Sequence, residues 1–306
     1  MKYPLEERLI WFRGEMVPIK DAKVMVFSPT SQFGLNVFEG IPCYWNDEKK
    51  QLYGFRLLDH YNRLIKSAHL LQIKCPYTAD NMFNALKETI NANDISENIS
   101  VRQTLFVDDF GSWSSEGPTS MFVVATPKSM ISSEYNQEGL NVCFTSWRRI
   151  SDNTISPRIK CGANYINSRM GQREAFRNGY NTCLFLNEIG KIAEGPGSCF
   201  VMVKNNTLVT PMLTDSVLES ITRDSVIKIA KKLGYKVKER TIDRTEVYTA
   251  DEAFLCGSAM GITPIFSIDK YQIGENIGRI TKEIKTKYLD IAFGRNNNYS
   301  EWITEL

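Results

Sequence analysis

Two residues stand out for what their surroundings let them do. Lys160 lies in Arg158-Ile159-Lys160-Cys161-Gly162-Ala163-Asn164-Tyr165, and its immediate neighbours carry no charge. Burial lowers a lysine's pKa, and a neutral amine is what imine chemistry requires. Further along, Glu194 ends a strand-like segment and enters Gly195-Pro196-Gly197-Ser198. Glycine turns let a backbone approach a ligand closely. A carboxylate held against a pyridine nitrogen keeps that nitrogen protonated, so the ring can act as an electron sink. A Schiff-base lysine with such a partner points to pyridoxal 5′-phosphate (PLP).

Other segments fit the same chemistry. Ser220-Ile221-Thr222 opens a helical stretch, and the exposed amides and hydroxyl of a helix start form a ready phosphate seat. Cys256-Gly257-Ser258-Ala259 offers a second small polar turn. Tyr165 is placed to contact a cofactor, and Arg63 to reach an anion. Each has a plainer reading as well. Lys160 alone reads as a solvated surface charge, Glu194 as a turn acid and Ser220 as a helix cap. Tyr165 alone is a core-edge aromatic, and Arg63 a solvent-facing helix residue.

The whole chain narrows the choice. Its 306 residues suit one or two domains. Lys and Arg number 37 against 35 Asp and Glu, a balance that argues against a nucleic-acid or anionic-membrane partner. Seven cysteines, none at C-x-x-C spacing, point to reduced thiols rather than a disulfide framework or zinc site. With only His60 and His69 as histidines, a His-based triad or multi-His metal site is disfavoured, and no metal is expected. The N-terminus lacks an apolar signal core and no apolar run approaches bilayer length, so a cytoplasmic protein is expected.

These residues need elements to position them. Alternating apolar patterns predict strands at 37–45, 52–55, 100–107, 121–125, 140–147, 182–186, 192–194, 199–204 and 253–256. A short hairpin is predicted around Arg13-Gly14-Glu15. Helices are predicted from Asp59 as cap to about 71, at 79–92 behind Thr78, and at 162–177, 221–233 and 278–290. The stretch 127–139, rich in polar residues and without periodicity, reads as a linker. This gives an α+β protein of two domains, with 1–126 the first, 127–139 the linker and 140–306 the second.

In order along the chain, these segments resemble the fold-type IV (class IV) aminotransferases, and among them the branched-chain amino acid aminotransferases. Val37-Phe38-Glu39-Gly40-Ile41 is similar to the family's N-terminal strand motif. Arg63 falls where the family has a phosphate-binding arginine, and Arg102 where an arginine lies near the substrate carboxylate. Lys160, with Gly162, Asn164 and Tyr165, resembles the catalytic lysine motif, and Glu194-Gly195 the ring-nitrogen motif. Ser220, Ile221, Thr222 and Ser258 match the phosphate cup. Ser258-Ala259 also matches a turn that receives the substrate carboxylate, with Phe38 beside the substrate.

The resemblance implies a D-amino acid aminotransferase-like fold: a small α/β domain, a larger pseudo-barrel domain and PLP in a cleft crossed by the linker. It implies a homodimer in which both subunits shape each pocket. Lys160 would move a proton between the α carbon of an L-amino acid and the cofactor's C4′. A 2-oxo acid such as 2-oxoglutarate would take the amino group.

Departures gather at the substrate end. Pro42 replaces a family arginine, and Phe33 and Ser100 replace tyrosines. Lys128 or Ser129 stands where the family has a linker tryptophan, and the Glu-Gly-x-Gly-Glu-Asn turn reads Glu194-Gly195-Pro196-Gly197-Ser198-Cys199. A pocket stripped of hydroxyls and a guanidinium discriminates differently. This predicts a larger or more polar donor, against the alternative of an ordinary branched-chain enzyme. Two further readings keep the fold but change what it does. One is an aminodeoxychorismate lyase-like eliminase, the other a non-catalytic binding module.

Overall fold

The computed structural model describes residues 4–128, 139–274 and 277–306. The predicted linker, 127–139, lies mostly outside them, and so does Ser129. The chain divides into two compact units. The first comprises Met1–Ile131, Ile159–Ala163 and Asp290–Leu306; the second comprises Ser132–Arg158 and Asn164–Leu289. The sequence predicts a single cut at the linker. Instead the five residues around Lys160 and the C-terminal segment belong with the first unit.

In the first unit the strands are β1 (Leu9–Phe12), β2 (Glu15–Pro18), β3 (Asn36–Asn46), β4 (Gln51–Phe55), β5 (Ile99–Val107) and β6 (Thr119–Pro127). A C-terminal strand at Ile303–Glu305 pairs with β4, and β3 is bracketed by β4 and β5. Strand β3 buries Val37, Glu39, Ile41 and Cys43 on one face. There Val37, Ile41 and Cys43 join an apolar core with α2 (Leu57–Leu70) and α3 (Ala79–Ala92), which follow a short α1 (Pro29–Phe33). Helix α3 starts where its cap predicts: Thr78 Oγ1 accepts from Asn81 N–H, and the Asn81 side chain returns the bond.

Helix α2 departs from expectation. It begins before Asp59, behind a left-handed Arg56, and has no side-chain cap. Asp59 sits instead in the first turn, where its charge suits the helix dipole, and it accepts from Arg56 Nε at 2.6 Å.

The second unit carries β7 (Leu140–Arg148), α4 (Asn164–Arg177), β8 (Thr182–Leu186), β9 (Cys199–Lys204), β10 (Thr207–Thr210), α5 (Ile221–Lys232), β11 (Lys236–Glu239), β12 (Glu252–Gly257) and β13 (Gly261–Ile268). They form one sheet in the order β11-β10-β9-β12-β13-β7-β8. Helix α4 starts at Asn164 rather than 162, because the preceding residues run extended, bridging Val37 to Cys161. The predicted strand 192–194 is reduced to single bridges, Ile192 to Leu186 and Glu194 to Cys199, since the chain turns at Gly195.

Candidate functional site

The residues singled out by sequence fall into two sets, one in each unit. In the first unit, Lys160 is held by its backbone. Its N–H donates to Ser67 Oγ at 3.2 Å, and its carbonyl accepts from Phe38 N–H at 2.9 Å. The side chain is half-buried, with Nζ 5.0 Å from the centre of the Phe38 ring. The Arg102 guanidinium lies 4.0 Å from the same ring. Arg102 stands opposite Gly40 across the β3–β5 ladder, so the residue facing it on β3 has no side chain to compete for that space. Phe38 is thus a platform that gathers two cations, one of them the lysine, an arrangement suited to an anionic substrate.

Arg63 comes to the neighbouring strand position but faces the core. Its Nε and Nη2 donate to Glu39 Oε1 and Oε2, both at 2.7 Å. His60 Nδ1 lies 2.7 Å from Glu39 Oε2. Glu39 and His60 are fully buried. Arg63 and His60 hold the Glu39 carboxyl well below the usual carboxylate range despite its burial. Burial, with Arg63 and Lys160 nearby, pushes His60 below its ordinary value against the pull of Glu39. Sequence reasoning does not single out Glu39 or His60, although Glu39 lies inside the recognised strand motif.

The second set centres on Glu194, which is 4 % exposed. Its Oε1 accepts from Arg149 Nε at 3.0 Å and Nη2 at 2.9 Å. Its Oε2 accepts from Leu218 N–H at 3.2 Å and lies 3.7 Å from Cys199 Sγ. Arg149 is itself buried and fixed through Nη1 to Asn167 Oδ1 at 2.9 Å. Sequence reasoning misses Arg149 because its partner is far along the chain and it follows the last strand residue of β7.

Around Glu194 the backbone is tightly packed. A Cβ on Gly257 would stand 3.1 Å from the Gly197 carbonyl oxygen, so glycine is what lets these two turns meet. Ser258 and Ala259 lie in the turn joining β12 to β13. Tyr165, in the first turn of α4, approaches to 4.0 Å of the Cβ position of Gly197. Ser220 caps α5, accepting from Arg223 N–H at 3.2 Å, and Ile221 and Thr222 follow in its first turn, both buried. Helix-start amides lack intrahelical acceptors and the helix dipole favours anions there.

The donor set suits a phosphorylated pyridine. A carboxylate braced by a guanidinium, close-packed glycine turns and a polar helix start lie together in the second unit. Among the described residues, no helix is long and apolar enough to cross a membrane, and no cluster of His, Cys, Asp or Glu is arranged to hold a metal.

Comparison with known proteins agrees with this geometry. The family described as amino-transferase class IV matches residues 36–268. A branched-chain-amino-acid aminotransferase of Escherichia coli (strain K12) is 36 % identical over 302 residues, covering 97 % of each chain. A probable branched-chain-amino-acid aminotransferase of Aquifex aeolicus is 35 % identical over 302 residues, covering 96 % of this chain and 95 % of its own. The crystal structure of a branched-chain aminotransferase from Thermoproteus uzoniensis with norvaline superposes with a TM-score of 0.93 at 38 % identity, covering 97 % of this chain and 99 % of that one. With a family match across most of its length and relatives that align from end to end, the chain belongs to the class IV aminotransferases.

Proposed function

We propose that this protein is a PLP-dependent aminotransferase that moves the amino group of a branched-chain L-amino acid to a 2-oxo acid such as 2-oxoglutarate. The observation that carries the reading is the bond from Leu218 N–H to Glu194 Oε2. It ties the carboxylate suited to a ring nitrogen to the chain that runs straight into the helix start suited to a phosphate. The relatives named for branched-chain substrates supply the donor class, and a relative's structure in its PLP form supplies the cofactor.

Bound at these residues, PLP supplies an electron sink for charge developing at the amino acid's α carbon. The protein's part divides as follows. Lys160 Nζ holds the cofactor and moves the proton at the substrate's α carbon, as base and then as acid. Glu194, braced by Arg149, holds the proton at the ring nitrogen. Ser220, Ile221, Thr222 and Ser258 bind the phosphate and Tyr165 flanks the ring, while Arg63, expected at the phosphate from sequence, is committed to Glu39 and braces the strand that carries Phe38. Phe38 and Arg102 meet the substrate, and the turn at Ser258 and Ala259 receives its carboxylate.

A second reading, an altered donor, is favoured by one observation. Pro42 and Ser100, two of the departures, are cross-strand partners in β3 and β5, so the loss of side-chain polarity is concentrated at one spot. Phe33 is 44 % exposed at the end of α1.

The protein is further proposed to act as a homodimer. Exposed Val26, Phe27, Phe110 and Trp113 in the first unit, with Phe27 and Phe110 rings 6.2 Å apart, give an apolar surface suited to a second copy. Seven cysteines that are buried or half-buried as thiols support a cytoplasmic location.

The test is an amino-donor panel on PLP-loaded protein with 2-oxoglutarate. Highest kcat/KM with leucine, isoleucine and valine is expected, and a clear preference for a larger or more polar donor selects the second reading. Lys160→Ala is expected to retain PLP through the phosphate contacts and lose at least ~10³-fold in kcat. Normal turnover by that variant would overturn the assignment.

A further inference from the structure

An ion pair that the resemblance does not account for stands at the edge of the phosphate seat. Arg158 Nη1 bonds Glu219 Oε1 within the second unit, and Arg158 Nε lies 3.7 Å from Asp152 Oδ1. The positions of the two residues are informative. Arg158 stands two before Lys160. Glu219 stands directly before the cap Ser220 and directly after Leu218, whose N–H serves Glu194.

Glu219 is therefore a negative charge on the doorstep of a helix start that favours anions. A carboxylate there opposes a phosphate by like-charge repulsion, much as a helix N-terminus attracts it. Arg158 is aimed at that carboxylate by its own loop. Ser156 Oγ accepts from Arg158 N–H at 3.3 Å and donates to Asp152 Oδ1 at 2.5 Å, while the Ser156 carbonyl accepts from Asn164 Nδ2 at 3.0 Å.

We infer that Arg158 is a positioning residue for phosphate binding: it neutralises and turns aside Glu219, so that the start of α5 accepts the cofactor's phosphate. The inference rests on the reading of Ser220, Ile221 and Thr222 as the phosphate seat. Both members of the pair are about one-third exposed (31 % and 29 %). Such pairs add little to folding stability, so variants fold and the electrostatic effect can be read by itself.

The experiment titrates the full-length chain, stripped of cofactor, with PLP, with pyridoxal lacking the phosphate, and with inorganic phosphate followed by its phosphorus resonance. Wild type, Arg158→Ala, Glu219→Gln and the double variant are compared. Arg158→Ala is expected to weaken PLP and phosphate binding by about tenfold. It should leave pyridoxal binding unchanged, and its penalty should shrink in high salt. Glu219→Gln is expected to bind phosphate at least as tightly as wild type, and the double variant to recover most of the loss.

A pair that merely braced the loop would give a different pattern. Glu219→Gln would then weaken binding as much as Arg158→Ala, the double variant would not recover, and the inference would fall. If wild type binds PLP but not through its phosphate, with PLP no tighter than pyridoxal, the reading of the helix start falls with it.

Discussion

Glu39 in the first unit and Glu194 in the second are both buried carboxylates gripped by an arginine through two nitrogens. Their settings differ. Glu39 lies mid-strand, pointing into the packed face of β3, and its remaining partner is a second side chain, His60. Glu194 lies at a turn, and its remaining partners are a backbone amide and a thiol. The first is enclosed by long side chains that fill the space around it. The second is enclosed by glycine, serine and a short loop, small residues that let two turns of backbone close around it. A buried Arg–carboxylate pair is therefore not in itself a mark of chemistry; the size of the residues around it decides what the pair can serve.

The sharpest way to break this comparison is to neutralise each acid. Glu39→Gln removes one partner from a buried network and leaves two cation-capable groups, Arg63 and His60, without it. A loss of about 3–5 kcal/mol in unfolding free energy is expected, measured by urea denaturation of the full-length chain. A loss below ~1 kcal/mol would show that Glu39 is not the structural member of the two.

Glu194→Gln is expected to behave in the opposite sense. Glutamine keeps an acceptor at either site, but at Glu194 it leaves one buried cation, Arg149, without its counter-charge where at Glu39 it leaves Arg63 and the His60 donor, so the folding loss is expected to be smaller. It cannot hold a proton at the ring nitrogen, and a fall in kcat of about 10²–10³-fold is expected, with PLP still bound. If Glu39→Gln lost turnover while Glu194→Gln kept it, the assignment of duties would be reversed.

How much of this is legible in the sequence depends on how local each signal is. Helix α3 is readable to the residue because Thr78 caps it and its apolar residues repeat on one face. Strands β8 and β9 are readable because they are short, largely apolar runs between turn residues. Lys160 and Glu194 stand out from neighbouring residues of unusual type. Arg149 does not, because what makes it functional is a carboxylate brought to it only by folding. Strand β13 escapes because Gly261 and Pro264 argue against a strand; Pro264 is tolerated opposite Phe254. The excursion Ile159–Ala163 reads in part as the start of a helix, since helical periodicity from Asn164 onward masks an extended stretch pinned by Asn36 and Val37.

The smallest effect sharpens the comparison most, because only one of the two carboxylates has a titrating imidazole beside it. His60 is fully buried, gives Nδ1 to Glu39, and has no partner for Nε2 among the described residues. Burial disfavours the charged ring, and Arg63 and Lys160 nearby oppose it further, so its folded-state pKa is lowered despite the pull of Glu39. Between that lowered value and about 6.5, the unfolded chain binds the proton and the folded chain does not. Stability therefore falls as pH drops below about 6.5, by ~1.4 kcal/mol for each unit of depression. Glu39, also depressed, adds its own loss only in a separate window below about 4.3, as pH falls toward its folded value. His60→Gln keeps a donor for Glu39 but does not titrate. Between about pH 7 and 5 its unfolding midpoint in urea is expected to vary less than that of wild type, while the two should converge in slope below about pH 4.3. Equal slopes across the upper window would mean that His60 contributes nothing to the pH dependence, and that the Glu39 network owes its acid sensitivity to the carboxylate alone.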